Sequence, residues 1–244
     1  MPRPIHLFIP CYVDQYFPQV AMAMVNILRD LDCQPIFLEE QTCCGQPAGN
    51  SGYAAECAVM AERFLKIFED AETIVAPSGS CVSQVKKHYE HLKLSDSGFE
   101  RHAKIQSRIF ELSQFLVDEL GIETWNGQYD ATVTYHDACH GLRELGIFEQ
   151  PRKLLRSIDG LSLEEMKRSD TCCGFGGTFS VKFAEISTAM AENKTEWIRE
   201  SGASVLVSGD SSCLMHLSGY SKRQGGSTKM LHLAEVLWQA RQNR

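Results

Sequence analysis

The stretch TIVAPSGSC, residues 73–81, has a counterpart in SVLVSGDSSC, residues 204–213. Each is a short run of apolar and β-branched residues, then a few small ones, then a cysteine. A run of that length bounded by Pro, Gly or Ser reads as a buried strand. Cys81 and Cys213 therefore fall just past the carboxyl end of a strand.

Outward from these two points the chain repeats itself. Cys11 is followed after 31 residues by Cys43-Cys44-Gly45, and after 36 more by Cys81. Cys139 is followed after 32 residues by Cys172-Cys173-Gly174, and after 39 more by Cys213. Flanking words repeat too: LEEQTCCG (38–45) beside LEEMKRSDTCCG (163–174), and RIFELSQFL (108–116) beside KMLHLAEVL (229–237). Agreement in order, spacing and flanks marks an internal duplication. We expect one repeat domain at 1–122, a second at 131–244, and a linker at 123–130 (ETWNGQYD).

Within each repeat, short apolar runs alternate with helical patterns, which implies βαβ units around a mainly parallel sheet flanked by helices. Strands are expected at 5–10, 34–40 and 73–78 in the first half and at 132–135, 162–166, 204–208 and 228–231 in the second. Helices are expected at 17–31, 52–70, 104–120, 145–158, 180–201 and 232–241, and a surface loop at 95–101. The fold class is α/β with two homologous halves related by a pseudo-twofold axis. Cys11, Cys43-Cys44 and Cys81, like Cys139, Cys172-Cys173 and Cys213, all follow the carboxyl ends of expected strands, the edge where open α/β sheets bind ligands.

Bulk composition narrows the function classes. The chain has 244 residues, 43% hydrophobic and 23% charged, as a soluble globular protein of one or two domains does. A net charge of -7 without a basic stripe argues against nucleic-acid binding, and Lys86-Lys87 reads as a solvated helix face. The apolar run near the start is too short for a signal-peptide core, and no uncharged helical stretch reaches the roughly 18 residues a membrane span needs. A cytoplasmic location is expected, where ten cysteines are ligands or redox groups rather than a disulfide framework.

Adjacent cysteines make a poor structural disulfide, because the bridge would close a small ring and distort the intervening peptide. Four convergent thiolates suit zinc or an iron–sulfur cluster. Zinc knuckles use CxxC-type spacings, and this sequence has none; a vicinal pair with two distant single cysteines points instead to ligands spread around a larger inorganic body. Gly45, Gly174, Gly176 and Gly177 allow backbone N–H groups to approach its sulfides.

On these residues the chain resembles the CCG-domain, or cysteine-rich-domain, iron–sulfur oxidoreductases: a cysteine, a long spacer, CCG, a second spacer, and a closing cysteine motif. The cysteine-rich subunit of heterodisulfide reductase and the iron–sulfur subunits of glycolate oxidase and anaerobic glycerol-3-phosphate dehydrogenase share the pattern. The duplicated form without a ferredoxin domain resembles a lactate-oxidising branch of the family. The resemblance implies an electron-transfer subunit of a complex oxidising L-lactate to pyruvate, beside a ferredoxin-type iron–sulfur subunit and a third small subunit. It assigns Cys11, Cys43, Cys44 and Cys81 to one 4Fe-4S-type cluster and Cys139, Cys172, Cys173 and Cys213 to another. The family's closing motif is CxxC, and its first cysteine is replaced here by Ser78 and Asp210. A cubane, a noncubane, or a cluster with Ser78 or Asp210 as an oxygen ligand all remain open, and heterodisulfide-type cleavage is disfavoured.

Other residues carry secondary expectations. His136 and His140 flank Cys139 and can tune or ligate a cluster, a hydrogen bond to a ligand being the preferred role and a strand-end histidine satisfied by backbone the plain alternative. His216, three residues after Cys213, could face the site but reads first as helix packing or solvent; His88 and His91 read as solvated, and Cys33 and Cys57 as ordinary apolar residues. Arg143 is the nearest candidate to bind an α-hydroxy-acid carboxylate. The GFGG of residues 174–177 is an incomplete dinucleotide fingerprint, and no HExxH or GxSxG occurs. A zinc-stabilised interaction protein and a thiol–disulfide redox protein are the alternative classes.

Overall fold

The computed structural model describes residues 2–243 and divides into two compact units, one ending at Leu112 and the other starting at Ser113. Each is built on a four-stranded, all-parallel sheet. In the first, strands β1 (Arg3–Leu7), β2 (Cys33–Phe37), β3 (Ile74–Ala76) and β4 (Ile109–Glu111) lie in the order β2-β1-β3-β4. In the second, β5 (Gln128–His136), β6 (Asp159–Leu163), β7 (Val205–Ser208) and β8 (Lys229–His232) repeat it as β6-β5-β7-β8.

The central strands are apolar throughout because helices cover both faces of a parallel sheet. All of β3 and all of β7 are buried. Pro35 in β2 faces Ile5 of β1, and β2 is an edge strand, where a residue without an N–H costs no ladder bond on the open side. The helix Pro18–Asp30 begins on Pro18 and buries Val20, Ala23, Met24, Ile27 and Leu28, within the span expected at 17–31. No helix among the described residues is long and apolar enough to cross a membrane.

Three expectations fail locally. The long helix expected at 104–120 is instead the end of helix Asp96–Ile105, then β4, then a helical stretch from Leu112 to Glu119. Pairing of Ile74 with Ile109 and of Ala76 with Glu111 completes the sheet, and this long-range ladder overrides the local helical pattern. The loop expected at 95–101 is the first part of helix Asp96–Ile105, whose Ser95 cap accepts from the Gly98 N–H. The strand expected at 162–166 sits earlier, at Asp159–Leu163.

The 123–130 stretch belongs structurally to the second unit. Trp125 is fully buried and donates its indole N–H to the Leu237 carbonyl at 2.9 Å, and β5 begins at Gln128.

A buried ion pair fixes the segment that leaves β5. Arg152, on helix Glu149–Arg156, donates two parallel hydrogen bonds to Asp137 at 2.8 and 2.9 Å, and two more to Glu165 at 2.7 and 3.0 Å. Its guanidinium lies 3.8 Å from the centroid of the Phe148 ring. Arg152 and Asp137 are each about 1% exposed, so neither charge has water to fall back on. Arg152→Met leaves Asp137 as an uncompensated buried charge and is expected to cost about 3–5 kcal/mol in chemical denaturation, whereas Asp137→Asn/Arg152→Met recovers most of that loss. A double variant no more stable than R152M alone contradicts this reading of the pair.

Candidate metal centre

The strand order 2-1-3-4 sends the chain in opposite directions from β1 and from β3, so the crevice between their carboxyl ends is a topological switch point. Cys11 opens the helix Cys11–Tyr16 after β1, and Cys81 lies in the helix Gly79–Ser83 after β3. The CCG turn after β2 reaches the same crevice through Gln41. This side chain takes the place of missing ladder partners: its amide donates to the carbonyls of Leu7 and Leu38 at 3.0 and 2.9 Å, and its oxygen accepts from Ile9 N–H at 2.7 Å. The buried Tyr89 hydroxyl donates to the Cys44 carbonyl at 2.9 Å. The vicinal pair is thus tied to β1 and to the helical turn Tyr89–His91.

The four thiols of the first half meet as sequence predicts. Cys11 Sγ lies 3.7 Å from Cys43 Sγ, and the Cys44 thiol contacts both Cys43 and Cys81. The Gly45 N–H points at Cys43 Sγ at 3.4 Å. In the second half Cys139 contacts Cys172, Cys173 contacts Cys172 and lies 3.0 Å from Cys213, and the Gly174 N–H points at Cys172 Sγ at 3.4 Å. All ten cysteines are free thiols. Cys44, Cys173 and Cys213 are buried, and the other five of the two quartets are half-buried.

The vicinal pair and the single cysteine that precedes it show the same electrostatics in both halves. Cys43 is drawn down to about 3 by hydrogen bonds from Cys11 and then Cys44, with the Gly45 amide assisting. Cys11 and Cys44 are pushed up in turn, because each shares its proton with a neighbouring sulfur and is shielded from water. Cys172 is likewise held far below the ordinary thiol range by Cys139 and Cys173, while Cys139 and Cys173 rise. In each quartet the first cysteine of the vicinal pair is thus the most acidic thiol, held as thiolate by the S–H groups of the two cysteines beside it. The protons lie where a cation would serve better, and a metal that binds such thiols displaces them.

Ser78 and Asp210, which stand where the family's extra cysteine would be, are helix caps. Ser78 Oγ accepts from Cys81 N–H at 3.3 Å, and Asp210 Oδ1 accepts from the backbone and hydroxyl of Ser212 at 3.3 and 2.6 Å. His136 is fully buried at the end of β5 and has no hydrogen-bond partner on either ring nitrogen. Burial lowers its pKa to about 4, so the imidazole is neutral. A ring nitrogen of His136 and the Sγ atoms of Cys173 and Cys213 lie within 4.8 Å of one another. His140 Nδ1 lies 3.6 Å from Cys139 Sγ, with Nε2 toward Glu144 at 3.9 Å.

Other residues near the centres carry little or no signal in the sequence. His216 bonds Ser187 Oγ at 3.3 Å beneath Gly174, and in the first half Gln84 bonds Cys57 Sγ at 3.6 Å beneath Gly45. Cys57 thus supports the first CCG turn from below. Cys33 is an ordinary buried residue near the Leu31 carbonyl. Lys194 is fully buried and donates to the carbonyls of Arg168 and Ser169 at 2.7 and 3.1 Å, holding the loop that leads into Cys172; burial lowers its pKa to about 8. Arg143 is exposed and donates to the Asp170 carbonyl at 3.1 Å, a contact that steadies the same loop.

Two parallel α/β units, each gathering four thiols at the switch point, define a duplicated cysteine-cluster protein, with donor sets suited to a metal or an iron–sulfur cluster. The cysteine-rich domain (CCG) pattern matches residues 5–86 and 133–218, and the chain belongs to that family. It is 44% identical over 233 residues to Lactate utilization protein A of Halalkalibacterium halodurans, covering 96% of each chain. It is also 41% identical over 234 residues to Lactate utilization protein A 2 of Bacillus cereus, covering 96% of this chain and 97% of the relative. Among solved structures, a hypothetical protein from Helicobacter pylori shares the fold at 10% identity and a TM-score of 0.71; the match covers 98% of this chain and 49% of the other.

The CCG glycines separate the two halves experimentally. Gly45 and Gly174 have φ of +84° and +93°, so any side chain there is strained, by roughly 1–3 kcal/mol. At Gly174 an added Cβ would also lie 2.7 Å from the Ser187 carbonyl oxygen and 2.9 Å from Met190 Cβ, whereas at Gly45 the tightest contact is the Cys57 sulfur at 3.1 Å. Gly174→Ala is expected to destabilise more than Gly45→Ala in paired denaturant melts. An equal or reversed order contradicts the packing described for the two turns.

Proposed function

We propose that this protein is an iron–sulfur electron-transfer subunit of a cytoplasmic system that oxidises L-lactate to pyruvate, working with a ferredoxin-type iron–sulfur subunit and a third small subunit. The observation that carries the reading is the pair of four-thiol sets, each built at the switch point of its own sheet. The relatives named for lactate utilization supply the substrate.

Cys11, Cys43, Cys44 and Cys81 would hold one cluster, and Cys139, Cys172, Cys173 and Cys213 the other. Bound clusters supply one-electron redox chemistry, which lets a two-electron oxidation elsewhere proceed in single steps. The chain's own residues set the conditions. Gly45 and Gly174 direct N–H groups at ligand sulfurs, a contact that favours the more reduced, more negative state. Tyr89, Gln41 and Lys194 fix the turns so that ligand geometry changes little between redox states.

The surroundings of the first set favour electron exchange over lactate binding there. The cavity beside Cys11 and Cys43, about 420 Å³, is also lined by Asp14 and Glu39 and by no Lys or Arg. An α-hydroxy acid at that place would meet like charge.

Protein purified and reconstituted without oxygen is expected to carry iron and acid-labile sulfide in both halves, with paramagnetic signals on reduction. Cys43→Ser/Cys44→Ser should remove one set of signals and Cys172→Ser/Cys173→Ser the other. Stoichiometric zinc without sulfide would replace this reading with a zinc-stabilised interaction protein, and metal-free protein with reversible thiol titration would replace it with a dithiol redox protein.

A further inference from the structure

The duplication is not symmetric at one buried position. Counting back three residues from Cys11 and from Cys139 gives Phe8 in the first half and His136 in the second. The strand registers agree, since the preceding residues pair alike: Leu7 with Val75, and Tyr135 with Val207. Phe8 is fully buried and packs edge-on against Phe64, ring centroids 4.8 Å apart. His136 is equally buried, yet both of its ring nitrogens lack a hydrogen-bond partner. Two orphaned polar atoms in a core are costly, since each has given up water without gaining a partner. An apolar residue sits at the same place in the first half without that cost, so packing alone gives no reason for a histidine here.

The ring is not aimed at random. One nitrogen shares a 4.8 Å neighbourhood with Cys173 Sγ and Cys213 Sγ, the spacing of donor atoms around a common ion. Nitrogen and thiolate together suit iron and zinc.

We propose that His136 donates an imidazole nitrogen to the metal centre of the second half, beside Cys173 and Cys213, so that the two centres differ in kind: thiolates alone in the first, thiolates with one imidazole in the second. The inference rests on the reading that each thiol set holds a metal centre, and it gives the two centres different electronic properties.

The test is nitrogen hyperfine spectroscopy on the reduced, anaerobically reconstituted full chain, with histidine at natural abundance and labelled with 15N. One of the two paramagnetic centres is expected to show a strongly coupled, directly bonded nitrogen that changes on labelling. That coupling should vanish in His136→Phe, which installs the first half's residue, and in His136→Asn, while the other centre keeps its spectrum. The labelled wild-type measurement needs no variant, so poor folding of either substitution does not shield the proposal. Two iron-loaded centres with no strongly coupled nitrogen, only the weak coupling of a hydrogen bond, or a coupling that survives H136F, overturn the assignment and leave the electron-transfer reading standing. Protein that binds no iron overturns both.

Discussion

The constraint on which everything else depends is the parallel pairing of β1 with β3 and of β5 with β7. It sets the carboxyl ends of two central strands side by side, with their following helices diverging, and leaves a crevice filled by the first turns of those helices and by the CCG turns. Each crevice is filled with sulfur. Neighbouring thiols such as Cys11 and Cys43 at 3.7 Å, or Cys173 and Cys213 at 3.0 Å, gain little by their own contact. The surrounding bonds hold them there: Gln41 and Tyr89 in the first half, Lys194 and the Arg152–Asp137 pair in the second. A chain that spends buried polar groups to hold sulfurs together has a use for a cation between them.

The two halves reach the same geometry by different chemistry. The first uses neutral groups, a glutamine amide and a tyrosine hydroxyl, and its core beneath the site is aromatic. The second uses buried charge: Arg152 gripping Asp137, and Lys194 on two carbonyls of the loop before Cys172. Cys57 and Ser187 face the two CCG glycines, and seven residues beyond them stand Phe64 and Lys194. The pair Phe8 and Phe64 of one half thus corresponds to His136 and Lys194 of the other. Both halves keep the four cysteines, while the core behind the second set is polar where that behind the first is aromatic.

Much of this is legible in the sequence because the repeat supplies a second copy of every signal. Strand positions near the cysteines, the parallel α/β class and the convergence of eight thiols all follow from spacing. What fails does so where one copy is taken without the other. RIFELSQFL has an amphipathic helical pattern, whereas its partner KMLHLAEVL reads as strand followed by helix; the same reading places β4 where it lies. A three-residue strand has too little pattern to outweigh its neighbours, and its identity comes from pairing with β3, far away in sequence. Gln41, Tyr89, Arg152 and Lys194 carry no motif, and their importance arises from partners that only the fold brings together. His136 is visible as a neighbour of Cys139, but that both its nitrogens are buried without partners is a fact of three dimensions.

The central claim is that each thiol quartet is a site for iron. Crystals grown and cooled without oxygen, measured on both sides of the iron absorption edge, test it directly. The account predicts anomalous scattering at two places, one bonded by Cys11, Cys43, Cys44 and Cys81 and the other by Cys139, Cys172, Cys173 and Cys213. Anomalous signal at the zinc edge alone, or two thiol sets with no metal after anaerobic reconstitution, would contradict it.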